Sequence, residues 1–144
     1  MPRITRSALV MFSAEQMFRL VNDVHAYPEF LPGCVGSRVH ETGEDYMTAS
    51  VDVAKAGIAK TFTTRNQLDT NRAIKMELVE GPFKTLAGWW TFTPLDVDAC
   101  KVEFDLDFEF TSKLIELAFG QIFRDLVSSM VLAFSNRAKV VYGV

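Results

Sequence analysis

The 144-residue chain has little of what metal centres and disulfide scaffolds are made from: two cysteines and two histidines. Cys34 and Cys100 stand far apart and neither has a CxxC partner, so the spacing asks for neither a zinc site nor a disulfide. His25 precedes an Ala-Tyr-Pro turn, and His40 sits at the solvated end of an expected strand. Neither lies where a nucleophile and an orienting group would make it a catalytic base, so both read as surface or boundary residues. Positive charge is also short. Lys and Arg total 15 against 18 Asp and Glu, which gives a net charge of -3 and a pI of about 5.4. That excludes wrapping DNA through a broad basic footprint and leaves room only for a local basic patch. No Gly-rich phosphate cradle is present, since Gly81-Pro82-Phe83-Lys84 has the wrong pattern. The apolar run from Ala8 to Phe12 is too short for a signal peptide, and no stretch approaches the roughly 20 apolar residues of a bilayer span. These absences point to a reduced, cytoplasmic protein with no transmembrane segment, whose contact with a membrane would be peripheral.

What the chain does have is core. Hydrophobic residues make up 49% of it, 12 of them Phe, and charged residues 23%. Residues 1–144 therefore suit one domain around one core. Lys101 to Phe110 reads KVEFDLDFEF, an unbroken alternation. Val102, Phe104, Leu106, Phe108 and Phe110 share one face and the charged residues the other, which marks a half-buried strand. Glu103, Asp105, Asp107 and Glu109 read as a solvated, charge-laced sheet face, with Arg65, Lys75 and Lys101 offered by neighbouring strands. After this strand, Thr111-Ser112 opens a helical pattern running almost to the C-terminus. Leu114, Ile115, Ala118, Phe119, Ile122, Phe123, Leu126, Met130, Val131 and Phe134 recur on it at spacings of three and four.

Upstream, Arg3 to Val10 reads as a first strand. Ser13 with Gln16 has the form of a capping box and opens a helix that ends near Asn22. Pro28 suits the first turn of a second short helix, which Pro32-Gly33 would stop. A meander of strands follows: Val35–Glu41, Met47–Val53, Ile58–Leu68, Ile74–Leu78 and Gly88–Leu95, with Gly81 to Lys84 as a loop. The order is β-α-α-β6-α, an α+β fold in which a curved antiparallel sheet grips one long C-terminal helix.

The interior holds the remaining chemistry. If Phe62 points inward, Lys60, Thr64 and Asn66 share its parity. Polar groups on an apolar wall are costly unless partnered, and they are also what ligand pockets contain. A bulge turning Lys60 outward is the plain alternative.

Four segments carry a resemblance. Tyr27-Pro28-Glu29-Phe30-Leu31-Pro32-Gly33-Cys34 resembles a YxxFxPxC signature. Gly81 to Leu86 with Trp90-Thr91-Phe92-Thr93-Pro94 resembles a second block, Asp107 to Leu114 a third, and Phe134-Ser135-Asn136-Arg137-Ala138 a C-terminal AFxxRA. In this order they are similar to the START-like coenzyme Q-binding family, whose bacterial members include ribosome association toxins. The resemblance implies a helix-grip fold, no catalytic machinery and no required cofactor. It also implies an apolar cavity for ubiquinone or a similar prenyl lipid. Tyr27, Phe30 and Leu31 would stand near its mouth. Phe62, Met76, Trp90, Phe92, Phe104, Phe108, Leu114, Ala118, Ile122 and Leu126 would form its wall, with Lys60, Thr64 and Asn66 as its polar groups. For the toxin members it implies the large ribosomal subunit as partner, blocked from joining the small one, and an antitoxin. Lys55, Arg65, Arg72, Lys75 and Lys84 are the candidate ribosome-facing basic patch. A cyclase-type enzyme would need an acid–base pair that the residues do not offer.

Overall fold

The computed structural model describes residues 3–143. Its elements are β1 (Arg3–Val10), α1 (Ala14–Asn22), a single 3-10 turn (Val24–Ala26), α2 (Tyr27–Phe30), β2 (Cys34–Thr42), β3 (Tyr46–Lys55), β4 (Ile58–Asp69), β5 (Ala73–Glu80), β6 (Phe83–Asp96), β7 (Ala99–Phe110) and α3 (Lys113–Val141). The strands form one antiparallel sheet in the order β1-β7-β6-β5-β4-β3-β2. This is the helix-grip α+β architecture expected from the pattern, with both short helices after β1.

Local chemistry explains the boundaries. Ser13 accepts a hydrogen bond from the Gln16 amide, and the Gln16 side chain accepts from the Ser13 amide, closing the capping box at α1. Ala56 and Gly57 both take left-handed φ, 53° and 81°, which closes the two-residue β3–β4 hairpin. β6 begins at Phe83 rather than after the expected loop, so only Gly81 and Pro82 turn the chain. Gly81 has φ +155°, and a Cβ there would stand 2.8 Å from Phe62 Cβ. β6 also runs past Pro94 to Asp96, because a register shift between those two residues lets the strand accept a proline.

Burial in β7 alternates without a break, and its inward row is the floor of the core. Above it lies α3, 29 residues long. Ser112 caps it by accepting from the Ile115 amide. α3 is long and apolar enough to cross a membrane by length and composition, contrary to the expectation from the sequence. In the fold, Phe119, Phe123, Leu126, Val127, Met130, Val131, Phe134 and Ala138 are buried, so it is the core helix of the sheet.

Since neighbouring strands are antiparallel, alternate connections gather at alternate ends. The β3–β4 and β5–β6 turns and the β7–α3 junction lie at one end, where the Thr111 amide donates to Pro82 O. The β2–β3, β4–β5 and β6–β7 turns lie at the other. The first is called the α3 end below, the second the far end.

Candidate functional site

The interior is filled near the start of α3 and slack beneath its middle. Phe83 stacks on Phe110 at 5.2 Å and meets Phe123 at 4.7 Å, while Phe62 meets Phe123 at 5.7 Å. These rings plug the space between sheet and helix near the α3 end. Beyond them lies a cavity of about 50 Å³. It is walled by Val21, Val24, Tyr27 and Leu31 from the short helices, by Ala49, Val51, Phe62, Ile74, Met76, Leu86, Trp90 and Leu106 from the sheet, and by Phe123, Leu126, Val127 and Met130 from α3.

Its polar groups are few. Thr64 and Asn66 are buried and line it, and Thr64 Oγ1 donates to Asn66 Oδ1 at 2.8 Å. The pair satisfies part of its own hydrogen-bonding need, which is how two polar side chains persist on an apolar wall. Tyr27 donates its hydroxyl proton to Val21 O, and burial, with Cys34 and Asp23 nearby, pushes that hydroxyl above its ordinary pKa. Burial also pushes the Cys34 thiol up. Among the described residues that wall the cavity, the one ionisable side chain is Tyr27, whose hydroxyl stays protonated at neutral pH.

Of the residues expected at the pocket, Tyr27, Leu31, Phe62, Met76, Trp90, Leu126, Thr64 and Asn66 line the cavity. The others do not. Phe30 is half-buried outside the cavity wall, packed on Phe134 at 5.2 Å with the Arg137 guanidinium 5.1 Å from its ring centre. Phe92, Phe104 and Phe108 face inward but pack solidly, on Phe18 at 5.8 Å, Trp90 at 4.3 Å and Phe123 at 5.0 Å. Strand parity selects a face of the sheet, not a position across it. Leu114 and Ala118 are exposed, and Ile122 is only partly buried outside the cavity wall. The spacing of four that separates each of them from the next, up to Leu126, drifts around the helix. At 3.6 residues per turn, Leu114 lies about 120° from Leu126. Lys60 keeps the parity of Phe62 with no register shift between them, so no bulge turns it; it is half-buried one row nearer the α3 end. Ala49 and Val51 were missed although their alternation with Ser50 and Asp52 carried the signal. Val127 follows from Phe123 by the same helical spacing.

The basic residues do not form one patch. Lys55 and Lys84 stand by the α3 end, and Arg72 in the far β4–β5 turn. Arg65 lies over the Tyr46 ring at 4.2 Å on the outer sheet face, and Lys75 pairs with Glu77 at 3.4 Å. The acidic row of β7 is held largely by β1. Arg3 reaches Asp105 at 3.3 Å and Asp107 at 3.8 Å, and Thr5 donates to Asp105 at 2.6 Å. Among the described residues, no His, Cys, Asp and Glu group could hold a metal ion. His40 Nε2 stands 2.6 Å from Ser50 Oγ, but among the described residues no carboxylate hydrogen-bonds the ring, and neither residue lines the cavity.

The sequence profile of the family described as polyketide cyclase / dehydrase and lipid transport matches residues 10–135. The ribosome association toxin RatA of Vibrio cholerae is 68% identical over 143 residues, 99% of each chain. A mitochondrial coenzyme Q-binding protein of Xenopus laevis is 28% identical over 143 residues, 96% of this chain and 59% of that protein. Among solved structures, an 18 kDa protein of Caulobacter crescentus matches with a TM-score of 0.76 and 30% identity, covering 100% of both chains.

Proposed function

Since the chain belongs to the polyketide cyclase / dehydrase and lipid transport family, we propose that it acts without covalent chemistry, as a ribosome association factor. In this reading it binds the large ribosomal subunit and keeps the small one from joining. The observation that carries the reading is the end-to-end likeness to a toxin named for ribosome association. The absence of an acid–base pair among the cavity groups supports a binding role over a cyclase one. The test is a sucrose-gradient profile of purified subunits with and without the protein. Fewer joined ribosomes, with the protein travelling in the large-subunit fractions, is the expected result. An unchanged profile with the protein left at the top would refute it.

A second reading, a carrier of prenylated quinone, is favoured by the apolar cavity wall. The fit decides how far it goes. About 50 Å³ holds a few waters, against roughly 300–1,000 Å³ for a drug-sized ligand site. A prenyl tail does not fit the closed form, so a carrier role requires the wall to part. Met76 and Met130, unbranched and flexible, are the side chains best able to yield. Organic extraction of the purified protein tests this reading: recovered prenylquinone in near-stoichiometric amount supports it, and its absence removes it.

A further inference from the structure

The two ends of the sheet carry opposite charge. The far-end turns hold Glu44, Asp45, Asp69, Asp96 and Asp98 around Arg72. At the α3 end stand Lys55 and Lys60 on the β3–β4 hairpin, Lys84 after the β5–β6 turn, and Lys113 at the start of α3. Among the described residues none of these lysines makes an ion pair. Glu116, the acid in the first turn of α3, is paired with Arg124 at 3.6 Å, which leaves Glu80 and Glu109 to oppose them. A protein of net charge -3 thus turns a positive end toward any extended negative surface.

The same end exposes apolar surface that the fold does not use. Leu114 is 75% and Leu117 82% exposed, one helical turn apart on the first turns of α3. Their position is fixed: Ser112 caps the helix, and the Thr111 amide is tied to Pro82 O. We infer that the α3 end, with Lys55, Lys60, Lys84, Lys113, Leu114 and Leu117, docks onto an anionic lipid bilayer. The lysines would meet headgroup phosphates, and the leucine pair would enter the boundary between headgroups and acyl chains. RNA is the other polyanion to weigh. Nucleic-acid surfaces use stacking aromatics and the guanidinium fork. At this end the aromatic rings Phe83, Phe110 and Phe119 are buried and the free cations are lysines. Paired exposed leucines find an apolar medium in a bilayer and none on phosphate. This inference stands apart from the ribosomal reading.

The test is co-sedimentation of the full chain with vesicles of equal parts phosphatidylglycerol and phosphatidylcholine, beside pure phosphatidylcholine vesicles and poly(U) RNA. The expected result is binding to anionic vesicles that weakens as salt rises. Lys55→Gln, Lys84→Gln and Lys113→Gln together should weaken it on the order of a hundredfold, at roughly fivefold per lysine. Leu114→Gln with Leu117→Gln should weaken it roughly tenfold or more. Both leucines are exposed, so the variant should retain the wild-type circular dichroism. Arg72→Gln at the far end should leave vesicle binding unchanged. No binding to anionic vesicles would overturn the inference. So would lysine-dependent binding that ignores the leucine changes and is equally strong on poly(U), which would assign the face to RNA.

Discussion

Gly81 and Gly57 show at the residue scale how one turn can carry more than another. Both have positive φ, but a Cβ at Gly81 would strike Phe62, while one at Gly57 would meet nothing within 4 Å. Phe62 belongs to both the phenylalanine plug and the cavity wall, so strain at Gly81 reaches the site. Gly81→Ala should cost about 1–3 kcal/mol. Gly57→Ala should cost about 1 kcal/mol, the backbone penalty alone. Thermal unfolding of the two variants checks the order; equal losses would show that the Phe62 contact carries no weight. The Thr64–Asn66 pair makes a similar contrast. Thr64→Val leaves Asn66 Oδ1 buried without its donor and should cost about 1–3 kcal/mol. Thr64→Val with Asn66→Leu removes both partners and should cost less than Thr64→Val alone, as a urea-denaturation cycle would show. A larger loss in the double variant would mean that Asn66 has a further structural partner.

At the scale of elements, α2 is the shortest wall of the cavity. It is four residues long and is held to α3 by Tyr27 and Phe30 on Phe134, at 5.3 and 5.2 Å, and by Arg137, which pairs with Glu29 at 3.1 Å and lies over Phe30. Exposed ion pairs and cation–π contacts each contribute about 0.5–1 kcal/mol. Arg137→Ala should therefore loosen α2 without unfolding the sheet. Faster amide exchange confined to residues 27–31 is the expected outcome, and exchange unchanged there would deny α2 the role of a strap. The helices also show where sequence reading stops. The caps of α1 and α3 and the alternation of β7 were legible because each is set by residues adjacent in the chain. The cavity wall was legible on the sheet only in part. Parity told which side chains face inward, but whether Phe104 lines a space or fills one depends on Trp90 and α1, which arrive from elsewhere. The β5–β6 turn is shorter than the loop expected from the sequence, and its need for glycine arises from Phe62, nineteen positions upstream.

The whole molecule adds its charge pattern and its response to acid. Hydrogen bonds from Arg38 at 2.8 Å and Thr61 at 2.6 Å hold the Asp52 carboxyl below the usual carboxylate range. Thr5 first, and then Arg3, do the same for Asp105. Both groups are depressed in the folded state, so their contribution is complete above the unfolded value of about 3.9 and is lost as pH falls from there through the lower folded value. Stability should be flat from neutrality to about pH 5 and fall below about pH 4. Asp52→Asn with Asp105→Asn should flatten that fall; an unchanged acid limb would place the loss elsewhere. The segregation of charge to opposite ends was hidden in a net charge of -3, because composition does not say which turns share an end. The antiparallel topology says so, and it also scatters the basic residues that the sequence suggested as one patch.

In the function proposed above, the domain acts by binding the ribosome. Light scattering after mixing purified small and large subunits tests it most directly. Joining should fall in proportion to added protein and saturate near one protein per large subunit. Joining that proceeds unchanged at a protein excess would contradict it.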